Sequence, residues 1–356
     1  MQSQFLRPAR SIVALSAALL VAAACSDSTN PTGRLNSFQV TRLVADLAAA
    51  GATTTDVNLQ NAWGVAFGPT GNVWVADNHT GLSTVYGPNG LKLATTVSIL
   101  ASGGATGGSP TGLVANSTTS FNIGTTGPAT FLFAGEDGTV SAWNAASGAT
   151  ANLVIDASST GAVYKAIAIA PSNGANALYL ADFHNARIDV YNGTFGYVKS
   201  FTDATIPSGF APFGIANVNG LLYVTYARQL GPDNEDDQAG AGNGYVDVFN
   251  PDGSLVSRFA SNGKLNSPWA IAMAPSGFSG FGGALLVGNF GDGRILAFDA
   301  TTGAFIDYLR DSNSDIITID GLWALAFGPT SGSTTMYFAA GPNDETNGLV
   351  GTITPR

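Results

Sequence analysis

The sequence predicts an all-β protein: a six-bladed β-propeller of four-stranded antiparallel blades, with the ring closed by an N-terminal strand. Three observations carry this prediction. A unit of about fifty residues recurs six times, the mark of a repeat architecture. Each copy opens on a strand of small apolar residues. The composition suits strands and turns: of 356 residues, 45 are glycine, 45% are hydrophobic and only 11% are charged, against roughly 25% charged in an average domain.

The units align at Trp63, Thr111, Lys165, Phe213, Trp269 and Trp323, at intervals of 48 to 56 residues. Each continues as in "WGVAFGPTGNVWVAD" or "WALAFGPTSGSTTMYFAA". A narrow first strand is followed by a Gly/Pro/Asn turn and a second strand rich in Val, Leu, Tyr and Phe. Third strands follow in "STVYGPNG", "ARIDVYNGTFG", "GYVDVFNPDG" and "GLVGTITP", and fourth strands in "YVKSFTD" and "LVSRFAS". Six first strands must crowd around one axis, which accounts for Gly64, Ala66, Ala166, Ala168, Gly214, Ala216, Ala270, Ala272, Ala324 and Ala326. The sixth unit stops after three strands. "FQVTRLVADL" (38–47) is expected to pair with "GLVGTITP" and complete it, removing two open sheet edges.

Residues 1–24 read as a signal peptide: Arg7 and Arg10 precede a short apolar run and Ala22–Ala24. Cys25, the single cysteine, follows directly, so "VAAAC" is expected to be a lipidation site, and residues 25–37 a polar tether to the propeller at 38–356. This places the protein outside a bacterial cell, lipid-anchored in the envelope or secreted. The net charge of −10, with Lys and Arg scattered, excludes nucleic acid as a partner. A monomer is expected.

"APFGIA" (211–216) and "ADFHNARIDVYN" (181–192) resemble the NHL repeat, a propeller family. Residues 38–356, through "LQNAWGVAFGP", "EDDQAGAGNGYVDVF" and "LLVGNFGDGRILAFD", also resemble a family of exported bacterial proteins of uncharacterised function. The resemblance implies the fold and the address and supplies no activity. Some NHL-like propellers act as lactonases or lyases around a channel-bound metal.

In a propeller the loops from second to third strand and from blade to blade share one face, the mouth of the central channel. This selects Asn61, Asp77, His79, Glu136, Asp137, Lys165, Asp182, His184, Arg228, the 231–244 insertion, Asn289, Asp292, Asp320, Asn343 and Asp344. Asp77, Asp182 and Asn289 hold equivalent places in units 1, 3 and 5, an oxygen set suited to a hard cation such as calcium. The competing reading has each of them bonding its own turn. His79 and His184 are the only histidines, open to a general-base role or to simple exposure in turns. G-x-S-x-G, H-E-x-x-H and P-loop motifs are missing.

"QLGPDNEDDQAGAGNG" (229–244) is a long acidic connection between two strands that elsewhere need a handful of residues. It reads as a lid over the channel, a cation-binding loop carrying Asp236 and Asp237, or a solvated flap. The expected function is binding of a small ligand or protein partner at an acidic mouth. The alternative is a metal-dependent hydrolase or lyase.

Overall fold

The computed structural model describes residues 35–356. The leader at 1–24, Cys25 and the tether up to Arg34 lie outside the described residues. Leu35 and Asn36, at the end of the expected tether, are already fastened to the fifth blade. The Leu35 carbonyl accepts from Gly280 N, and Asn36 Nδ2 donates to Tyr308 O at 2.9 Å.

Six antiparallel sheets form the ring. Blade 1 comprises Ala62–Phe67, Val73–Asp77, Leu82–Tyr86 and Lys92–Ser98. Blade 2 comprises Pro110–Ala115, Phe131–Gly135, Thr139–Trp143 and Asn152–Asp156. Blade 3 comprises Tyr164–Ser172, Ala175–Asp182, Arg187–Asn192 and Tyr197–Phe201, and blade 4 Phe210–Val218, Leu221–Arg228, Gly244–Phe249 and Leu255–Ser261. Blade 5 comprises Pro268–Met273, Leu285–Asn289, Ile295–Phe298 and Phe305–Tyr308. Blade 6 takes Leu322–Phe327, Met336–Ala340 and Leu349–Pro355 from the C-terminus, and Phe38–Ala45 from the N-terminal end.

The inner strand of each blade packs against those of both neighbours, blade 6 against blade 1 included. The approach is close enough to demand missing side chains. A Cβ on Gly64 would lie 2.6 Å from Thr111 O, and one on Gly214 would run into Trp269 O. The small-residue column in the sequence has this steric origin.

Ring closure follows the expected pairing. Phe38 faces Pro355 and Ala45 faces Leu349, with a bulge between Arg42 and Val44. Thr54–Thr55 adds a short parallel fifth strand beside Val44 and Ala45. Phe38 also reaches into blade 5, its ring 4.8 Å from that of Phe278. The core lies between blades, as where Trp74 packs on Phe131 at 4.3 Å. Burying a ring of this size stabilises by roughly 1.5–3 kcal/mol.

Three clusters also enclose charge, the second of them within blade 3. Lys92 meets Asp56 at 2.6 Å, Arg187 Nε meets Asp189 at 2.8 Å, and Arg258 bridges Asp203 and Asp247. Tyrosine hydroxyls complete two of them: Tyr86 donates to Asp56 and Tyr164 to Asp189. Buried charges persist where they are paired and hydrogen-bonded in this way.

Candidate functional site

Every inner strand carries one residue more than its partner at the mouth end. The register slips between Ala62 and Val65, Pro110 and Leu113, Tyr164 and Ala166, Pro212 and Gly214, Pro268 and Ala270, and Leu322 and Leu325. These β-bulges contain Trp63, Thr111, Lys165, Phe213, Trp269 and Trp323, the residues that open the six repeats. A bulge bends its strand and re-aims a side chain.

Here five of the re-aimed side chains, all but Thr111, meet across the axis and are joined by Phe290. Trp63 stacks on Trp323 at 3.6 Å, and Phe290 stacks on Trp323 at 3.9 Å. Phe213 lies 5.7 Å from Trp323, two blades away. Trp269 Nε1 donates to Lys165 O at 3.1 Å, and Lys165 Nζ sits 5.3 Å from the Trp63 ring. This plug separates a cavity of about 110 Å³ among the inner strands from one of about 400 Å³ at the mouth.

The mouth cavity is walled by Trp63, Lys165, Phe290 and Trp323, and by carboxylates from three separate connections. Asp236 and Asp237 come from the 231–244 insertion, Asp320 precedes the sixth inner strand, and Asp344 and Glu345 belong to its strand-two loop. Lys165 is 3% exposed, and its Nζ lies 2.5 Å from Glu136 Oε1 and 3.4 Å from Asp236 Oδ1. Burial alone would lower the Lys165 pKa, but the charge and hydrogen bond of Glu136 raise it instead. Burial likewise opposes ionisation of Glu136, and Lys165 overrides it, lowering the pKa. Both partners are therefore charged.

A hydrogen-bond chain continues from this pair. Asn78 Nδ2 donates to Glu136 at 2.9 Å, and Asn61 Nδ2 donates to Asn78 at 3.3 Å and to Glu345 at 2.6 Å. Trp323 Nε1 donates to Asn61 Oδ1 at 3.0 Å. Burial pushes the Glu345 carboxyl up to about 7, with repulsion from Glu136 and Asp236 adding to it against the pull of Asn61 and Lys165. Burial also raises Asp237.

The insertion folds over this site, secured to blade 3 by Asp236 on Lys165, by Gln229 Nε2 donating to Phe183 O, and by His184 Nδ1 at 2.9 Å from Asp233 O. On the other side Gly240 N donates to Asn266.

Of the residues selected from sequence, Asn61, Glu136, Lys165, Asp236, Asp237, Asp320 and Asp344 are brought to the mouth. Asp77, Asp182 and Asn289 are not brought together. Each is buried at the end of a second strand within its own blade. Asp182 accepts from Val163 N, Asn185 N and Asn185 Nδ2, and Asn289 from Asn266 N while donating to Lys264 O. Asp77 is raised well above the usual range by burial, with Thr84 opposing. Asp182 and Asn289 thus hold their own turns, which is the competing reading of these positions. Among the described residues, no three His, Cys, Asp or Glu side chains gather as a metal-binding group. His79 and Arg228 are exposed, and Asp292 accepts from Asn289 and Arg294 N. The sequence reading missed Glu345, Asn78, Phe290 and the Trp63–Trp323 stack. The leading column of the repeat alignment, which begins Trp, Thr, Lys, Phe, Trp, Trp, was the signal for the floor.

Fold and site together define a six-bladed β-propeller with a plugged axis and a cavity above the plug. An uncharacterized protein of Acanthamoeba polyphaga mimivirus is 35% identical over 340 residues, spanning 91% of this chain and 82% of the viral one. A second from the same virus is 35% identical over 317 residues, 85% of this chain and 82% of its own. The chain belongs to the family of these uncharacterized viral proteins. No family model matches it. A streptogramin B lyase structure superposes with a TM-score of 0.53 at 13% identity, covering 90% of this chain and 97% of its own. A luciferin-regenerating enzyme does so with a TM-score of 0.51 at 12% identity, covering 83% and 92%. At such identities the likeness shows the fold alone. The expected address in a bacterial envelope is overturned: these relatives are viral, and export is not shown.

Proposed function

We propose that the protein is a binding module that takes a small polar ligand in the mouth cavity. The observation supporting this reading is the plugged axis. Bulged residues from five blades close the channel and leave a defined recess of about 400 Å³, roofed on one side by the insertion. That volume suits a small molecule. The recess is lined by charged groups on a rigid scaffold, the arrangement that orients a polar ligand.

The test is a thermal-shift screen of small polar molecules on the parent and on Ala239→Trp. Ala239 is an exposed insertion residue on the cavity wall, so the larger side chain fills the recess without entering a blade. Ligands of the mouth should bind the parent and lose affinity in this variant. Ligands that bind both equally would put recognition elsewhere and defeat the reading.

A further inference from the structure

Lys165 shows how the mouth treats an ammonium group. Its Nζ is caged by Glu136, Asp236 and the Trp63 ring. Beside that filled position the cavity carries Asp237, Asp320, Asp344 and Glu345, with no second lysine or arginine in its lining. Two buried polar atoms of this lining lack a hydrogen-bond partner of normal geometry: Asp237 Oδ2, with the Ser267 hydroxyl beside its carboxyl, and Nε1 of Trp63, which is 1% exposed and part of the cavity wall. A buried polar atom without a partner marks a place where a ligand or water completes the bonding. An unmet acceptor amid excess negative charge calls for a cationic donor. An unmet indole N–H calls for an oxygen.

We propose that the mouth cavity binds a small hydroxylated ammonium compound, an amino alcohol or amino sugar, whose ammonium group is held by Asp237 and Glu345 and whose oxygen accepts from Trp63. This rests on the reading of the mouth as the ligand site.

A proton consequence follows. Glu345 faces Asn61, Glu136, Lys165 and Asp236, with Asp237, Asp320 and Asp344 around the same cavity. Burial and the neighbouring carboxylates hold its carboxyl up at about 7. A bound cation reverses the local repulsion and lowers that value, so binding at slightly acidic pH expels a proton.

Calorimetry on the full chain tests this with glucosamine, glucose, glucuronate, cyclohexylamine and ethanolamine. Glucose and glucuronate match the first probe in shape and differ in charge, and cyclohexylamine keeps the charge without the hydroxyls. Glucosamine should bind about tenfold or more tighter than glucose or cyclohexylamine, and glucuronate should not bind. Repeating the titration at about pH 6.5 in buffers of different ionisation heat should reveal proton release, and Glu345→Gln should abolish the release. Ala239→Trp should abolish binding. Glucose or glucuronate binding as tightly as glucosamine, and lost in Ala239→Trp, overturns the ammonium class while leaving the mouth as the site. Glucosamine binding that survives Ala239→Trp overturns both. If neither glucosamine nor ethanolamine binds, the proposed ligand class is wrong.

Discussion

Trp63 stacks on Trp323 with ring centroids 3.6 Å apart, joining the first blade to the last across the seam where the ring closes. Both rings are almost wholly buried. Trp323→Ala should therefore lower unfolding free energy by about 3–5 kcal/mol, while Trp323→Phe keeps part of the stack and loses less. Denaturant melts of the three proteins check the ranking. Equal stability of all three would mean that the stack contributes nothing.

Lys165 and Glu136 invite a double-mutant cycle. Lys165→Met strands Glu136 and Asp236, and Glu136→Gln removes the closer partner of a nearly buried cation. Breaking such a pair from one side costs about 3–5 kcal/mol, most of it from the charge left behind. The double variant should be more stable than the two single losses add up to. Additive losses would show that the pair is not coupled.

Deleting residues 35–45 removes the strand that pairs with Leu349–Pro355 and withdraws Phe38 from Phe278. An open edge on the sixth blade is a template for association. The deletion should lower the melting temperature sharply and produce oligomers in size-exclusion chromatography. A monomer that melts like the parent would show that closure does not depend on this strand.

Glu345 sets part of the pH response. Its carboxyl stands at about 7 when folded, against a reference value of 4.5. The folded state therefore binds that proton more tightly than the unfolded chain does. The associated stability is fully present below 4.5 and disappears as pH rises through 7. Asp247, raised by burial to about 7 from 3.8, acts with the same sign. Glu345→Gln should flatten, without abolishing, the fall in melting temperature across that window. An unchanged slope would remove Glu345 from the account.

The parts of this architecture that the sequence disclosed were those set by sterics and by length. Gly64 and Gly214 stand where a neighbouring carbonyl leaves no room for a side chain, so the inner strands announced themselves as a small-residue column. The 231–244 insertion was conspicuous because it is long, and it does cover the mouth. The role of the leading column was hidden for a different reason. A bulge adds one residue without altering the apolar pattern on either side, so Trp63, Lys165 and Trp323 read as the starts of strands. Asp182 and Asn289 left two readings open because an Asp or Asn that bonds its own turn has the same spacing as one that ligates a cation. Glu345 sits in "GPNDETNG", where composition gives no hint that Asn61, far away in the chain, will hold it.

Because each floor residue is the surplus member of a bulge, its side chain is decoupled from the alternation that fixes the rest of its strand. Neighbouring positions are constrained to be small or apolar by the ladder and the ring. Five of the six bulge positions are constrained by one another instead, while Thr111 bonds the carbonyls of Ala134 and Tyr164. The floor is thus a set of five positions whose side chains answer to one another and not to the strand ladder, so a substitution there reshapes the base of the mouth while the blades stay as they are.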